Sequence, residues 1–216
     1  MQISYKRLIE PNEIIGPLAC TQGGDIFRSY KLSLKTWEKL IKSAWGVPHS
    51  PLRVVIYRFY ITDLPYYVHV HLVRHHIGVQ FYVQSQRGNS LRAEEKQDAL
   101  INVIMDINAN SLINMAKARL CKKAAKETRL VLKAIKFALI NNGDKYDKTL
   151  AKHLCAPCEI YNQCFEPKPC GKLKENIVNE INIFGSKMKV ITDPTFKPNE
   201  IKIISNNRDR KEIDND

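Results

Sequence analysis

The chain has 216 residues, 44% of them hydrophobic, and a formal net charge of +12. That length and apolar share suit one large folded domain, with or without a short appendage, and exclude an intrinsically disordered chain. No stretch is long and apolar enough to cross a bilayer. Met1 to Ile15, with Lys6, Arg7, Glu10 and Glu13, lacks the apolar core of a signal peptide, so a cytoplasmic location is expected.

Residues 1–50 mix polar and apolar positions around the turn signal Gly23-Gly24. Thr36 to Ala44 predicts a short amphipathic helix with Trp37, Leu40 and Ile41 on one side. Residues 53–62, rich in β-branched and aromatic side chains, predict a strand, and Asp63-Leu64-Pro65 predicts a turn. Residues 66–76 read two ways, because Val68, Val70 and Leu72 alternate as in a strand. Val79, Phe81 and Val83 alternate with polar residues and predict a second strand. Ala93 to Ile140 predicts helix in two or three pieces, closed by Asn141-Asn142-Gly143-Asp144. A cysteine segment follows at 155–170, then a polar tail. The organisation expected is a main domain over 1–150, a cysteine-rich segment over 151–175 and a tail over 176–216.

The positive charge concentrates in residues 111–153, which hold eleven Lys and Arg against three acids. Such density suits a nucleic-acid binder, and equally an enzyme whose ligands carry phosphate or carboxylate.

Four of the six histidines, His69, His71, His75 and His76, fall within eight residues, with Arg74 among them and Ser85 and Arg87 shortly after. No carboxylate stands at a spacing that would complete a metal site there. Arginine and histidine together suit an anion and cofactor site, pairing with phosphate and polarising a ring.

Two segments resemble the flavin-dependent thymidylate synthases. That family carries a signature R-H-R-x-x-S-x-N-E-x-S-x-R, and Arg74-His75-His76 is similar to its opening, Ser85-Gln86-Arg87 to its close. The spacing is one residue longer, His76 replaces the second arginine, and the central Ser-x-Asn-Glu is absent. A later family segment, N-A-R-S-L-M-N-F-L-x-L-R followed by A-Q-x-E-I-R, is similar to Asn108 through Arg119 and on to Ala124, Glu127 and Arg129, without a gap. His71 stands where the family usually has glutamine. The stretch between the two segments is shorter here than in the family.

The resemblance implies an α/β domain, an antiparallel sheet with helices, working as a homotetramer with shared sites. It also prefers helix over 66–76. It implies an enzyme that binds FAD, takes reducing equivalents from NADPH, and transfers a one-carbon unit from methylenetetrahydrofolate to dUMP. By the same resemblance Arg119 orients and activates the pyrimidine. His71, Ser85, Gln86 and Arg87 join it in holding the nucleotide, with Arg87 on the phosphate. Arg74, His75, His76, Asn108 and Asn114 contact the flavin.

Cys155, Cys158, Cys164 and Cys170 place four thiols within sixteen residues, between prolines. In a reducing compartment this spacing predicts a metal site, zinc ahead of an iron–sulfur cluster. Cys20 and Cys121 are expected in the core. Two alternatives stand beside the synthase reading. One is a related enzyme that methylates or hydroxymethylates another pyrimidine nucleotide. The other is a basic, zinc-binding nucleic-acid module, which the low and strand-clustered aromatic content disfavours.

Overall fold

The computed structural model describes residues 1–25, 31–46, 50–85, 97–164 and 166–172, together with the backbone of 190–191 and 200–203. In chain order the elements are β1 (Gln2–Arg7), α1 (Ile15–Thr21), α2 (Leu34–Ser43), β2 (Ile56–Pro65), α3 (Tyr66–Leu72), β3 (Val79–Val83), β4 (Leu100–Asn108), α4 (Ala109–Arg119), α5 (Lys126–Asn142), α6 (Lys145–Lys152), α7 (Pro157–Tyr161), β5 (Val190–Ile191) and β6 (Glu200–Ile203). The strands form one sheet in the order β3-β4-β2-β1-β6-β5. Every neighbouring pair is antiparallel. No helix among the described residues is long and apolar enough to cross a membrane.

One face of the sheet is the core. Ile3 and Tyr5 of β1, Tyr57, Phe59 and Ile61 of β2, and Ile101, Val103, Met105 and Ile107 of β4 are all buried there. They belong to one apolar cluster with Trp37, Leu40 and Ile41 of α2, Leu112, Ile113 and Met115 of α4, and Val131, Leu132 and Ile135 of α5. The period of two in the strands meets the period near 3.6 in the helices along this layer. Each such side chain contributes about 1.5–3 kcal/mol relative to exposure.

A buried polar knot fastens the two ends of this layer. Asp147 of α6 accepts from the Tyr5 hydroxyl at 2.9 Å, the Tyr57 hydroxyl at 3.0 Å and Arg7 Nη1 at 2.7 Å. Arg7 also pairs with Asp144, whose Oδ1 caps α6 by accepting from the backbone N–H groups of Tyr146 and Asp147. Burial pushes the Asp147 carboxyl above its ordinary value, while Arg7 pulls the other way. Burial, reinforced by the Asp147 charge, pushes both the Tyr5 and Tyr57 phenols well above their ordinary value of 10.0.

Several expectations change. The span from Ala93 to Ile140 is not helical throughout. Residues 93–96 lie outside the described residues, 100–108 are the strand β4, and the described helices of the span run from Ala109 and from Lys126. The alternation of buried Ile101, Val103, Met105 and Ile107 with more exposed neighbours is the physical reason. The expected turn at Asp63 is a bulge. Asp63 has φ of 53°, the pairing with β4 shifts between Ile61 and Leu64, and Pro65 still pairs with Leu100. Residues 66–72 are helix. Cys20, expected in the core, is exposed, and Cys121 is half-buried, because neither position lies on an inward helix face. Within the span expected as tail, β6 extends the sheet by pairing with β1.

Candidate functional site

The two sequence segments singled out above meet at one place. α4 follows β4 directly, and Asn108 is its N-cap, with Oδ1 accepting from Ser111 N at 2.8 Å. The Asn108 Nδ2 group donates to the carbonyl of Gly78 at 3.2 Å, and the Asn108 backbone N–H donates to the same oxygen at 3.1 Å. Ser111 Oγ donates to the Ile77 carbonyl at 2.7 Å. The loop between α3 and β3, which carries Arg74, His75 and His76, is therefore riveted to the start of α4. Gly78 makes the approach possible. Its φ is +69°, and a Cβ there would collide with Asn108 Nδ2 and Ser111 Oγ.

At the other end of α4, Arg119 reaches back to the same loop. Its Nε donates to His75 Nε2 at 2.8 Å, and its Nη2 donates to the backbone carbonyl of His71 at 3.0 Å. Arg119 is half-buried, and burial together with the nearby charge of Arg74 lowers its pKa from the usual arginine value. Burial, with the Arg119 charge second, lowers the pKa of His75 below 6.5. His75 is thus a neutral imidazole at neutral pH, accepting from an obligate donor.

Around this pair the side chains of Arg74, His76 and Asn114 are exposed and His71 is half-buried. His76 Nδ1 lies 3.3 Å from the Arg74 carbonyl. Ser85, exposed, follows β3. Gln86 and Arg87 lie outside the described residues. Of the expected site, the structure brings together His71, His75, Arg119 and the loop of Arg74 and His76, and it gives Asn108 a fold-holding part. Both of its side-chain amide atoms are engaged within the chain, and the residue is buried. Asn114 stands on the open side of α4.

Sequence reading missed Gly78 and Ser111. The signal for a helix start at Asn108 was present, since asparagine is a favoured N-cap, but nothing in the sequence pointed Ser111 Oγ at the Ile77 carbonyl. Gly78 had no such signal, because its need arises from a contact with a residue thirty positions away. Arg129, included in the resemblance, donates to the carbonyls of Cys121, Lys122 and Ala124 and so holds the turn between α4 and α5.

His69 is a histidine apart from this group. It is buried, its ring packs edge-on to Phe81 at 5.7 Å, and burial lowers its pKa. It is a core imidazole on the inner side of α3.

The expected metal segment is not assembled. Cys155 is buried, and Cys158, Cys164 and Cys170 are half-buried thiols. Among the described residues no three His, Cys, Asp or Glu side chains are placed to hold a metal ion. Burial pushes the Cys155 thiol up to about 11 and raises that of Cys158, so both are protonated as they stand. Lys123 binds Glu166 at 2.9 Å and Lys172 binds Glu159, which tethers the segment to the α4–α5 turn and to itself.

No protein-family model matches the chain, and no curated protein matches it in sequence. Solved structures do match. Thymidylate synthase X from Helicobacter pylori, solved with FAD and dUMP, superposes with a TM-score of 0.56 at 18% identity, covering 71% of this chain and 99% of that one. A second structure of the Helicobacter pylori flavin-dependent synthase with FAD and dUMP gives 0.50 at 18% identity, over 63% and 93%. The UMP/dUMP methylase PolB from Streptomyces cacaoi, bound with 5-Br dUMP, gives 0.53 at 10% identity, over 72% and 97%. Over about 71% of its length, the chain has the fold of the flavin-dependent thymidylate synthases.

Proposed function

We propose that the chain is a flavin-dependent enzyme that methylates carbon 5 of a uracil nucleotide, dUMP first. One observation carries the reading: Arg119 and His75, forty-four positions apart, meet at 2.8 Å at the place where both resembling segments converge. The contact is half-buried and its acceptor is a neutral imidazole, so it orients the guanidinium without neutralising it. In this reading Arg119 holds the pyrimidine with the part of its planar fork left free, and stabilises charge that develops on the ring. Ser85 and Gln86 hold the nucleotide, and Arg87 takes its phosphate. His71 lines the same side. The exposed donors Arg74, His76 and Asn114 suit the isoalloxazine and pyrophosphate of FAD, with His75 between them and the nucleotide. Asn108 serves the flavin side by fixing the loop. A bound reduced flavin supplies the electrons for making the methyl group.

NADPH as reductant and methylenetetrahydrofolate as carbon donor complete the proposal, as does a homotetramer with sites shared between subunits. The cysteine segment, on this reading, closes on zinc or an iron–sulfur cluster only when the metal displaces the thiol protons, which couples its local folding to binding. The test is direct. The protein, supplied with FAD, NADPH, methylenetetrahydrofolate and either dUMP or UMP, should yield a nucleotide heavier by one methyl group. Flavin fluorescence should be quenched on titration with protein in the presence of nucleotide. Unchanged nucleotide mass and unquenched flavin together would defeat the proposal.

A further inference from the structure

We propose that His75 is the positioning residue that aims Arg119, and that adding one proton to its ring releases the arginine. The role in nucleotide binding rests on the function proposed above, whereas the latch itself rests on geometry alone. A guanidinium has five N–H donors and no acceptor. The imidazole nitrogen that faces Arg119 Nε at 2.8 Å must therefore be bare, and the ring proton must sit on Nδ1. The second contact, Nη2 to the His71 carbonyl at 3.0 Å, fixes the rotation of the fork about its stem. Two contacts from one planar group to two points of the α3 end define a single orientation.

The surroundings make this contact sensitive to one proton. Among the described residues, the charge that acts on His75 comes from Arg119, and the charge that acts on Arg119 comes from Arg74. The neighbouring His76 turns its Nδ1 to the Arg74 carbonyl, and His71 offers its backbone oxygen, not a charge. Among the described residues no carboxylate acts on the pair. A protonated His75 would present N–H to N–H and would place a third cation beside Arg74 and Arg119. Protonation therefore breaks the contact, and it does so below the ordinary histidine range, since burial and Arg119 both disfavour the charged ring. The sign follows. The latch is closed above the lowered His75 pKa and opens as pH falls through it.

The experiment uses the full chain and three proteins: wild type, His75→Gln and His75→Leu. Glutamine keeps an acceptor oxygen and does not titrate, and leucine keeps bulk without an acceptor. In nucleotide-free protein, nitrogen-resolved NMR should find His75 as the Nδ1–H tautomer at pH 7. It should find a slowly exchanging Arg119 Nε–H that disappears by pH 5 in wild type but persists in His75→Gln. With dUMP, calorimetry between pH 8 and pH 5 should show the ratio of His75→Gln to wild-type affinity rising by about tenfold, the factor for one charged hydrogen bond. Taking that ratio cancels the titration of the ligand's own phosphate. His75→Leu should bind about tenfold more weakly than His75→Gln at every pH. An Nε2–H tautomer, a ring that titrates at or above 6.5, or parallel affinity profiles for wild type and His75→Gln would overturn the proposal. If no protein binds dUMP or UMP while the NMR signature is present, the latch stands and the nucleotide reading fails.

Discussion

Replacing Gly78 with alanine tests the rivet between the Arg74–His76 loop and α4. The φ of +69° places an L-residue in the left-handed region, at a cost of about 1–2 kcal/mol. The added Cβ would also overlap Asn108 Nδ2 and Ser111 Oγ, so those side chains must move. Moving them breaks the bonds from Asn108 to Gly78 and from Ser111 to Ile77, each contributing about 1 kcal/mol. The sum is about 3–4 kcal/mol, a large part of the roughly 5–15 kcal/mol that holds a domain. For a domain of this size each kcal/mol shifts Tm by about 2–4 °C, so a fall of roughly 6–16 °C is expected. If the loop instead detaches while the cap of α4 survives, Tm holds and the loss appears as faster amide exchange over 74–78 and weaker FAD binding. Gly46→Ala is the control, since a Cβ there meets nothing within 4 Å. Calorimetric melting, hydrogen exchange and flavin titration of both variants decide the matter. A Gly78→Ala protein that melts, exchanges and binds flavin like Gly46→Ala would refute the rivet.

Three further expectations follow from the same geometry. Arg119→Ala should lose roughly 1.5–3 kcal/mol of dUMP binding, one to two powers of ten in affinity, and Arg119→Lys should fail to restore it, because an ammonium cannot span His75 and the His71 carbonyl at once; equal calorimetric affinities would remove Arg119 from the site. Protein purified without chelator should carry about one zinc or iron equivalent per chain that is lost in Cys158→Ser, and elemental analysis finding neither metal in the parent would end the metal proposal. Tyr5 and Tyr57 have folded pKa values raised above the ordinary value of 10.0, so the stability they contribute is fully present below pH 10 and is lost as pH climbs beyond it, the unfolded chain ionising first. Two such phenols together remove about 2 kcal/mol between pH 10 and 11, and Tyr57→Phe should halve that loss in urea melts over this range; an unaltered loss would show that Tyr57 does not stay protonated in the fold.

The legible parts of the fold were those where one periodicity dominated. Trp37, Leu40 and Ile41 sit where the helix reading put them, and Ser33, accepting from Thr36 N at 3.1 Å, starts that helix two residues earlier than periodicity suggested. β4 was misread because Ala93 to Asp98 is rich in strong helix formers and α4 follows with no turn residue between, so the helical pattern was carried across Leu100–Asn108. The alternation of Ile101, Val103, Met105 and Ile107 was there to be seen, but Ile104 on the opposite face blurred it. At the site, the resemblance drew attention to the residues that converge. It did not reveal that both amide atoms of Asn108 are engaged, because the second contact depends on the Gly78 carbonyl arriving from another segment. The cysteine spacing was legible as sequence and did not translate into an assembled ligand set. Burial of Cys155 against the core keeps its thiol protonated, and spacing carries no information about burial.

The knot at Asp147 sets an order of events for the growing chain. Tyr5, Arg7 and Tyr57 leave the ribosome long before their shared carboxylate, which follows them by 142, 140 and 90 positions. Until α6 emerges, burying Tyr5 and Tyr57 would leave their hydroxyls unsatisfied, at about 1–3 kcal/mol each, while Arg7 has Glu10 as its nearby partner. Early packing of the first two strands therefore gains their apolar burial but carries the cost of two unpaired hydroxyls. α6 also supplies the Tyr146 carbonyl to Trp37 Nε1 at 2.9 Å and takes the Leu32 carbonyl on the Tyr146 hydroxyl at 2.6 Å, so α2 waits on the same helix. Contacts this far apart in sequence raise the contact order of the fold, which slows folding. A chain cut after Asn142 contains Arg119, His75 and the strands β3 and β4 beside them, yet lacks the carboxylate that the buried Tyr5 and Tyr57 hydroxyls share.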